Sequence, residues 1–306
     1  MSRRKRMGLW IGGFVLVLLV IAGLALWNMS RSHDAPKLVD WIDRATAGSR
    51  DVAEVARVQL GDDPAVKLAV HAQPRASGDE PRPVIVFTHG GGWNWGDPDD
   101  YGFIARSFAN EGYVVVLTGY RLFPEAQYPA MLEDLADAVA WSEANIAQYG
   151  GDPDRVVLMG HSAGAYNSLM LGLDKSWLAA KGMNADDLAG VVSLAGPADF
   201  YPFDTENSIN SFGQAEDPEA TQPVNHARAD APPLLLVHGE DDTVVRIRNA
   251  RSLERAMTAA GGTAETAYYP GMGHNDVLLK LVSPWWRDER VRTRVLAFVD
   301  KVTAKE

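Results

Sequence analysis

Short runs of continuously apolar residues, separated by longer helical segments, constrain the fold of this chain more than any other feature. Four of these runs are VIVFT (84–88), YVVVLT (113–118), RVVLM (155–159) and PLLLV (233–237). A strand that is apolar at almost every position, rather than at every second position, is buried on both faces. Parallel sheets with helices on both sides bury their strands in this way, so the alternation predicts an α/β fold.

Four more segments complete a mostly parallel sheet of eight strands. Residues 55–60 and 65–72 flank a Gly-Asp-Asp-Pro turn and predict a hairpin, and residues 188–194 and 265–269 predict two later strands. The carboxyl ends of parallel strands meet at one edge of the sheet, where we expect the functional groups. Residues 199–232 interrupt the alternation and contain several prolines and phenylalanines, so they predict a small cap or a long loop over that edge.

A serine between two glycines follows the third of these buried strands. Gly160-His161-Ser162-Ala163-Gly164 fits the pattern G-x-S-x-G, in which a serine occupies a strained strand-to-helix turn and small neighbours prevent clashes. The turn lifts the hydroxyl clear of the sheet and directs the N–H of Ala163 and the helix N-terminus to the same place. We therefore predict that Ser162 is a nucleophile.

A serine hydroxyl is a weak nucleophile until a base takes its proton. His274 is the candidate base, because it lies in a glycine-rich loop directly after the last predicted strand. Asp242 is the candidate acid that orients the base, with Asp241 as the alternative, since both lie in the acidic loop after PLLLV. His161 is held beside the serine and points elsewhere, and we expect His238 to make a structural hydrogen bond.

A glycine-rich loop, His89-Gly90-Gly91-Gly92-Trp93, follows the VIVFT strand. Successive glycines let the backbone approach a substrate closely and direct N–H groups at a developing oxyanion. Phosphate binding is the competing interpretation. It is disfavoured, because the chain has neither G-x-G-x-x-G nor a phosphate-binding loop with a lysine.

Together these motifs resemble the α/β-hydrolase superfamily, and within it the HGGG-bearing esterases related to hormone-sensitive lipase and the feruloyl-esterase-like and formamidase-like esterases. The motifs that carry the resemblance are HGGGW (89–93), YRLFPE (120–125), GGDPDRVVLMGHSAG (150–164), HGEDDTVV (238–245) and GMGH (271–274). Phe123 departs from the family's YRLAPE, with little expected effect on mechanism.

The resemblance implies an α/β-hydrolase fold and assigns a role to each site residue. It makes Ser162 the nucleophile, Asp242 the orienting acid and His274 the base. It also implies that the oxyanion is held by the backbone N–H groups of Gly91, Gly92 and Ala163. Trp93 and His161 are expected to line the substrate pocket.

These residues predict a carboxylic ester hydrolase that acts on small or medium substrates through an acyl-enzyme and needs no metal or organic cofactor. One alternative is an arylformamidase-like amidase with the same triad, and another is a non-catalytic, membrane-anchored binding protein on a hydrolase scaffold.

The composition limits the partners and the chemistry of the chain. The net charge of −11 disfavours nucleic-acid partners. The absence of cysteine excludes disulfides, a thiol nucleophile and zinc–thiolate sites. The sequence leaves the oligomeric state open.

The N-terminal segment predicts attachment to a membrane. A basic tip at residues 1–6 precedes residues 7–29, which carry no charge and are long enough as a helix to cross a bilayer core of roughly 30 Å. The basic tip would stay in the cytoplasm, which places the catalytic domain on the extracytoplasmic side. The alternative is a cleaved signal peptide and a secreted protein. Residues 30–50 are polar with one amphipathic patch and predict a linker or a short helix. Residues 51–304 form the catalytic domain, which includes the small cap or long loop at 199–232.

Overall fold

The computed structural model of the protein describes residues 35–46, 51–76, 78–282 and 287–305. Its centre is one sheet of eight strands in the order β1-β2-β4-β3-β5-β6-β7-β8. Strand β2 pairs antiparallel with β1 and β4, and the strands from β4 to β8 pair in parallel. The strands are β1 (Ala53–Gln59), β2 (Lys67–Ala72), β3 (Arg82–Thr88), β4 (Val114–Thr118), β5 (Gly151–His161), β6 (Gly190–Leu194), β7 (Leu234–Gly239) and β8 (Ala264–Tyr269).

Helices cover both faces of this sheet, and each face has its own apolar cluster of buried side chains. Val84 and Val86 of β3 belong to one cluster, while Ile85 and Phe87 belong to the other, because neighbouring side chains of a strand point to opposite faces. The helices are α1 (Ala35–Thr46), α2 (Gly102–Ala109), α3 (Ala130–Asn145), α4 (Ala163–Leu173), α5 (Ser176–Ala179), α6 (Glu206–Phe212), α7 (Arg248–Ala260), α8 (Asp276–Leu279) and α9 (Glu289–Val302).

The fold prediction needs one correction, which concerns the N-terminal transmembrane helix. None of the helices within the described ranges is both long and apolar enough to cross a bilayer, so the transmembrane helix is not supported as part of the fold. The segment predicted for it, residues 7–29, lies outside the described residues.

Part of the expected linker at residues 30–50 is helical and packs on the catalytic domain. Helix α1 contacts α2 through Arg106, whose guanidinium donates to Asp40 at 2.6 Å and to Asp43 at 2.7 Å. The side chains of all three residues are about nine-tenths buried. Burial raises the pKa of Asp43, although hydrogen bonding to Arg106 favours its ionised form. Asp43 therefore depends on Arg106 as its hydrogen-bonded cation, whereas Asp40 also accepts from Arg44 at 2.6 Å.

Residues 199–232 lie near the carboxyl edge of the sheet and contain α6 and two short 3-10 turns. Two buried amides fix the beginning of this segment. Asn249 of α7 accepts from the N–H groups of Ala198 and Asp199 at 3.0 and 2.9 Å. Gln222 accepts from those of Phe200 and Tyr201 at 2.7 and 3.0 Å. Four successive backbone donors are thus satisfied by side chains, which holds an irregular segment in one conformation.

Candidate active site

The turn between β5 and α4 holds Ser162 with φ 54° and ψ −119°, angles that a residue with a side chain rarely adopts. The main chain can pass through this turn only because two glycines flank it. A Cβ on Gly160 would lie 2.3 Å from the carbonyl of Gly164, and a Cβ on Gly164 would lie 2.2 Å from the carbonyl oxygen of Thr88. The glycines of G-x-S-x-G therefore allow β5, α4 and the end of β3 to meet closely beneath the serine.

His274 follows β8 in a loop that packs against the end of β7. The contact is close, because a Cβ on Gly239 would lie 2.2 Å from the carbonyl oxygen of Met272. Asp276 fixes the loop from the other side by accepting from the N–H of Gly273 at 2.7 Å. This places Nε2 of His274 2.9 Å from Oγ of Ser162. That distance is hydrogen-bond length, so the imidazole can take the proton of the hydroxyl.

Asp242 lies on the other side of the same imidazole. Its Oδ2 is 2.8 Å from Nδ1 of His274, and its Oδ1 accepts from the N–H groups of Val244 and Val245, both at 2.9 Å. Asp242 is buried, whereas Asp241 is exposed. Burial by itself opposes ionisation of Asp242, but hydrogen bonds from His238, His274 and the backbone together hold its pKa well below the usual range. Asp242 is therefore a carboxylate whenever the protein is folded near neutral pH.

His238 is a second histidine on the same carboxylate. It is 1% exposed, and its Nε2 lies 2.6 Å from the carbonyl oxygen of Val245 and 3.3 Å from Oδ2 of Asp242. The sequence predicted a structural hydrogen bond for this residue without naming its partner. No local motif gives the partner, because it depends on how the loop after β7 folds back on itself.

His161 is buried against the loop that carries His274 and does not lie in an open pocket. It is 4% exposed, and its Nε2 is 3.2 Å from the backbone carbonyl oxygen of His274. Burial lowers the pKa of His161 to about 3, with a further contribution from the nearby His274. The ring is therefore neutral near pH 7 and donates to the loop that carries His274. Its predicted contact with substrate stays a prediction.

The glycine loop after β3 lies against the serine. Ser162 is close to Gly90, since a Cβ on this glycine would lie 3.2 Å from the serine Cβ. Gly91 and Gly92 have φ of 123° and 57°. Within the described part of the chain, their N–H groups donate to no backbone carbonyl or side chain. The N–H of Ala163, at the first position of α4, has no acceptor within its own helix. All three amides predicted for the oxyanion hole are thus available to a ligand.

Trp93 supports the glycine loop from the core. Its indole is 5% exposed and donates to Oδ1 of Asn167 at 3.2 Å. Its ring also packs edge-on against Tyr166 and Phe212, with centroids 5.3 and 4.7 Å apart. The structure therefore places this predicted pocket residue mainly in the core, beneath the loop whose backbone faces the serine.

Sequence reasoning did not identify the polar residues that join residues 199–232 to the glycine loop. Asn94 donates to the carbonyl oxygen of Gly92 at 2.6 Å and to Oγ of Ser211 at 3.3 Å. Asn207 lies against Gly92, with its Nδ2 2.2 Å from where a Cβ would be. Asparagines and serines in an irregular segment carry no periodic signal, so only the tertiary structure shows this contact.

The order of these groups along the chain and across the sheet defines a class of protein. The serine follows β5, the acid follows β7 and the histidine follows β8, on a mostly parallel sheet with a glycine-rich loop after β3. This is the arrangement of an α/β-hydrolase. Within that class the chain belongs to the BD-FAE family, whose model matches residues 71–257.

Several curated proteins are similar to this chain in sequence. The chain is 30% identical over 242 residues to esterase LipC of Mycobacterium tuberculosis, covering 73% of this chain and 60% of LipC. It is 26% identical over 248 residues to isoprenylcysteine alpha-carbonyl methylesterase ICME of Arabidopsis thaliana, covering 73% of this chain and 57% of ICME. The chain thus spans between half and two thirds of the length of these relatives.

Solved structures show the same fold at lower sequence identity. Inhibited esterase B from Lactobacillus rhamnosis superposes with a TM-score of 0.75 at 19% identity, covering 93% of this chain and 96% of that one. A truncated carbohydrate esterase from gut microbiota gives a TM-score of 0.71 at 20% identity, covering 84% and 99%. These likenesses establish the fold of the catalytic domain.

Proposed function

We propose that this protein is a serine hydrolase that cleaves carboxylic esters of small or medium-sized substrates. The observation that carries the proposal is the position of His274, whose imidazole lies within hydrogen-bond distance of both Ser162 and Asp242. A hydroxyl, an imidazole and a buried carboxylate in this order form a unit for nucleophilic acyl transfer. The esterase names of the relatives support ester substrates for this chain.

In this mechanism Asp242 keeps the proton of His274 on Nδ1, which leaves Nε2 free to accept. Nε2 takes the proton of Ser162 as Oγ forms a bond to the carbonyl carbon of the ester. The same proton then passes to the leaving alcohol as the ester C–O bond breaks, which leaves an acyl-serine. A water molecule, deprotonated by His274, attacks the acyl-serine in turn and releases the carboxylic acid and the free serine.

The negative charge that develops on the carbonyl oxygen needs donors that are already in place. The N–H groups of Gly91, Gly92 and Ala163 are the proposed oxyanion hole, because none has an acceptor among the described residues. Each such donor contributes about 10²–10³ in rate in a comparable enzyme. The packing of Trp93 beneath the loop and the docking of residues 199–232 on top of it keep these donors oriented before substrate binds.

The test is hydrolysis of p-nitrophenyl esters, from acetate to long acyl chains, by the full chain and by Ser162→Ala. Loss of the nucleophile is expected to lower kcat by about 10⁶. Ser176→Ala is the matched control, because this exposed serine lies beyond the far end of α4 and is expected to keep full activity. The acyl preference of the wild-type protein then defines the size of the pocket.

Other outcomes point to the alternative functions. Efficient cleavage of an N-formyl arylamine together with slow ester hydrolysis would favour an amidase with the same triad. Equal activity of wild type and Ser162→Ala would show that Ser162 is not the nucleophile. If a fluorophosphonate probe also failed to label Ser162, the protein would be a non-catalytic member of the fold.

A further inference from the structure

Helix α6, within residues 199–232, presents a polar face to the glycine loop. Asn207, Asn210 and Ser211 are spaced i, i+3 and i+4, so their side chains lie on the same side of the helix. Asn210 donates to Oδ1 of Asn94 at 3.3 Å, and Nδ2 of Asn94 lies 3.3 Å from Oγ of Ser211. These contacts dock the helix through Asn94, which also binds the carbonyl oxygen of Gly92.

Asn207 differs from the other two residues on this face. Its amide is half-buried, yet it makes no hydrogen bond with any residue in the described ranges. Its Nδ2 lies beside Gly92, 2.2 Å from where a Cβ on this glycine would be. The backbone N–H of the same glycine is also unpaired within the described residues. The side-chain amide therefore keeps its N–H donors available to a ligand.

Two unpaired donors in one place suit a single acceptor. The backbone N–H of Gly92 and the side-chain amide of Asn207 are close enough for one oxygen atom to accept from both. Helix α6 is docked through Asn210 and Ser211, so the backbone of Asn207 is held beside the glycine loop before any ligand arrives. A positioned donor stabilises an oxygen more strongly as that oxygen gains negative charge.

We propose that Asn207 is a further hydrogen-bond donor to the substrate, and that its Nδ2 supplements the backbone donors at the carbonyl oxygen as that oxygen becomes an oxyanion. This proposal rests on the ester hydrolase function proposed above and adds a catalytic group from residues 199–232 to it. The bond-making steps are unchanged, since the amide only donates. The substrate oxygen is then held between the glycine loop and α6, so the segment takes part in the chemistry as well as covering the site.

The experiment compares kcat and KM of wild type, Asn207→Ala and Asn207→Asp on the best p-nitrophenyl ester. Asn207→Ala is expected to lower kcat about 10- to 100-fold, at or below the 10²–10³ effect of a principal oxyanion donor, and to leave KM nearly unchanged. Asn207→Asp, which keeps the shape but places a carboxylate beside the developing oxyanion, is expected to lower kcat further. Ile209→Ala, on the exposed side of the same helix, is the control and is expected to keep the wild-type kcat.

A second measurement separates donation to the oxyanion from a role in folding. A trifluoromethyl ketone forms a reversible tetrahedral adduct with a serine, which resembles the transition state. In Asn207→Ala, the inhibition constant of this ketone is expected to rise by the same factor by which kcat/KM falls. Asn210→Ala, which loosens the docking of α6, tests the structural explanation. Equal losses of kcat and of melting temperature in Asn207→Ala and Asn210→Ala would mean that Asn207 only supports the loop, and would overturn the proposal.

The outcomes also separate this inference from the function on which it rests. If wild type hydrolyses esters and Ser162→Ala does not, but both Asn207 variants keep the wild-type kcat, then the role of Asn207 is wrong and the esterase function stands. If wild type hydrolyses no ester and a fluorophosphonate does not label Ser162, both proposals fail.

Discussion

Ser162 keeps its unusual backbone angles because its neighbours leave room for the main chain. Gly164 is the tightest of these positions, since its α-hydrogen faces the carbonyl oxygens of Thr88 and His89 where β3 ends. Gly164 therefore also fixes the distance between the turn that holds Ser162 and the glycine loop. A side chain at this position would separate two parts of the proposed site.

Gly164→Ala is expected to destabilise the fold by at least about 3 kcal/mol, because the added methyl would overlap two backbone carbonyls that cannot move independently. The control is Gly61→Ala in the β1–β2 turn, where a Cβ would meet only Val66 at an ordinary distance of 3.8 Å. Urea unfolding of both variants measures the difference. Equal midpoints for Gly164→Ala and wild type would show that the turn can relax, contrary to the close packing described here.

The residues of the proposed triad could be predicted because each lies in a local motif at a strand end. Ser162, Asp242 and His274 follow strands that the apolar pattern predicts, and parallel strands direct their carboxyl ends to one edge. The structure shows that the three side chains meet there. Neighbours such as His238 and Asn207 have no such marker, because their importance comes from contacts with residues that are distant along the chain.

Helix α1 shows the same limit for whole elements. Its sequence is polar with one amphipathic stretch, which predicts a linker or a short helix but not where it docks. The docking depends on the ion pairs of Arg106 with Asp40 and Asp43, across more than 60 residues of sequence. By contrast, the ends of the strands could be predicted to within about two residues, except that β5 begins four residues earlier than predicted, at Gly151, because the apolar pattern is local.

Arg106→Met is expected to release α1 from the domain and to destabilise the fold by about 3–5 kcal/mol. The substitution leaves buried Asp43 without its bonded cation and leaves buried Asp40 with only the largely exposed Arg44. Hydrogen exchange of residues 35–46 and urea unfolding measure these two effects. The matched variant adds Asp40→Asn and Asp43→Asn, which removes the uncompensated charges and is expected to recover most of the loss. If the single variant were as protected from exchange as wild type, the buried ion pairs would not be what holds α1.

Three buried imidazoles give the whole molecule a common response to acid. Burial lowers the pKa of His161 to about 3 and those of His71 and His89 to about 4. His71 lies in β2, His89 follows β3 and His161 ends β5, so the three are spread over different strands of the sheet. Each is held neutral by the fold in a pH range where an exposed imidazole would be charged.

The free energy of unfolding is therefore expected to fall as the pH is lowered from about 6.5 to about 4. In this window the unfolded imidazoles, with an ordinary pKa of about 6.5, bind protons that the folded ones exclude. Each contributes up to about 1.4 kcal/mol per pH unit. Asp242 adds to the loss below about pH 4, since the unfolded carboxyl then binds a proton that the folded one, with its lowered pKa, excludes. Urea midpoints measured between pH 7 and pH 4 test this expectation.

The variant His71→Gln removes one imidazole remote from Ser162, and its stability should depend less steeply on pH than that of wild type. Parallel curves for the two proteins would mean that His71 is protonated in the folded state at the same pH as in the unfolded chain, and the proposed source of the acid sensitivity would be wrong.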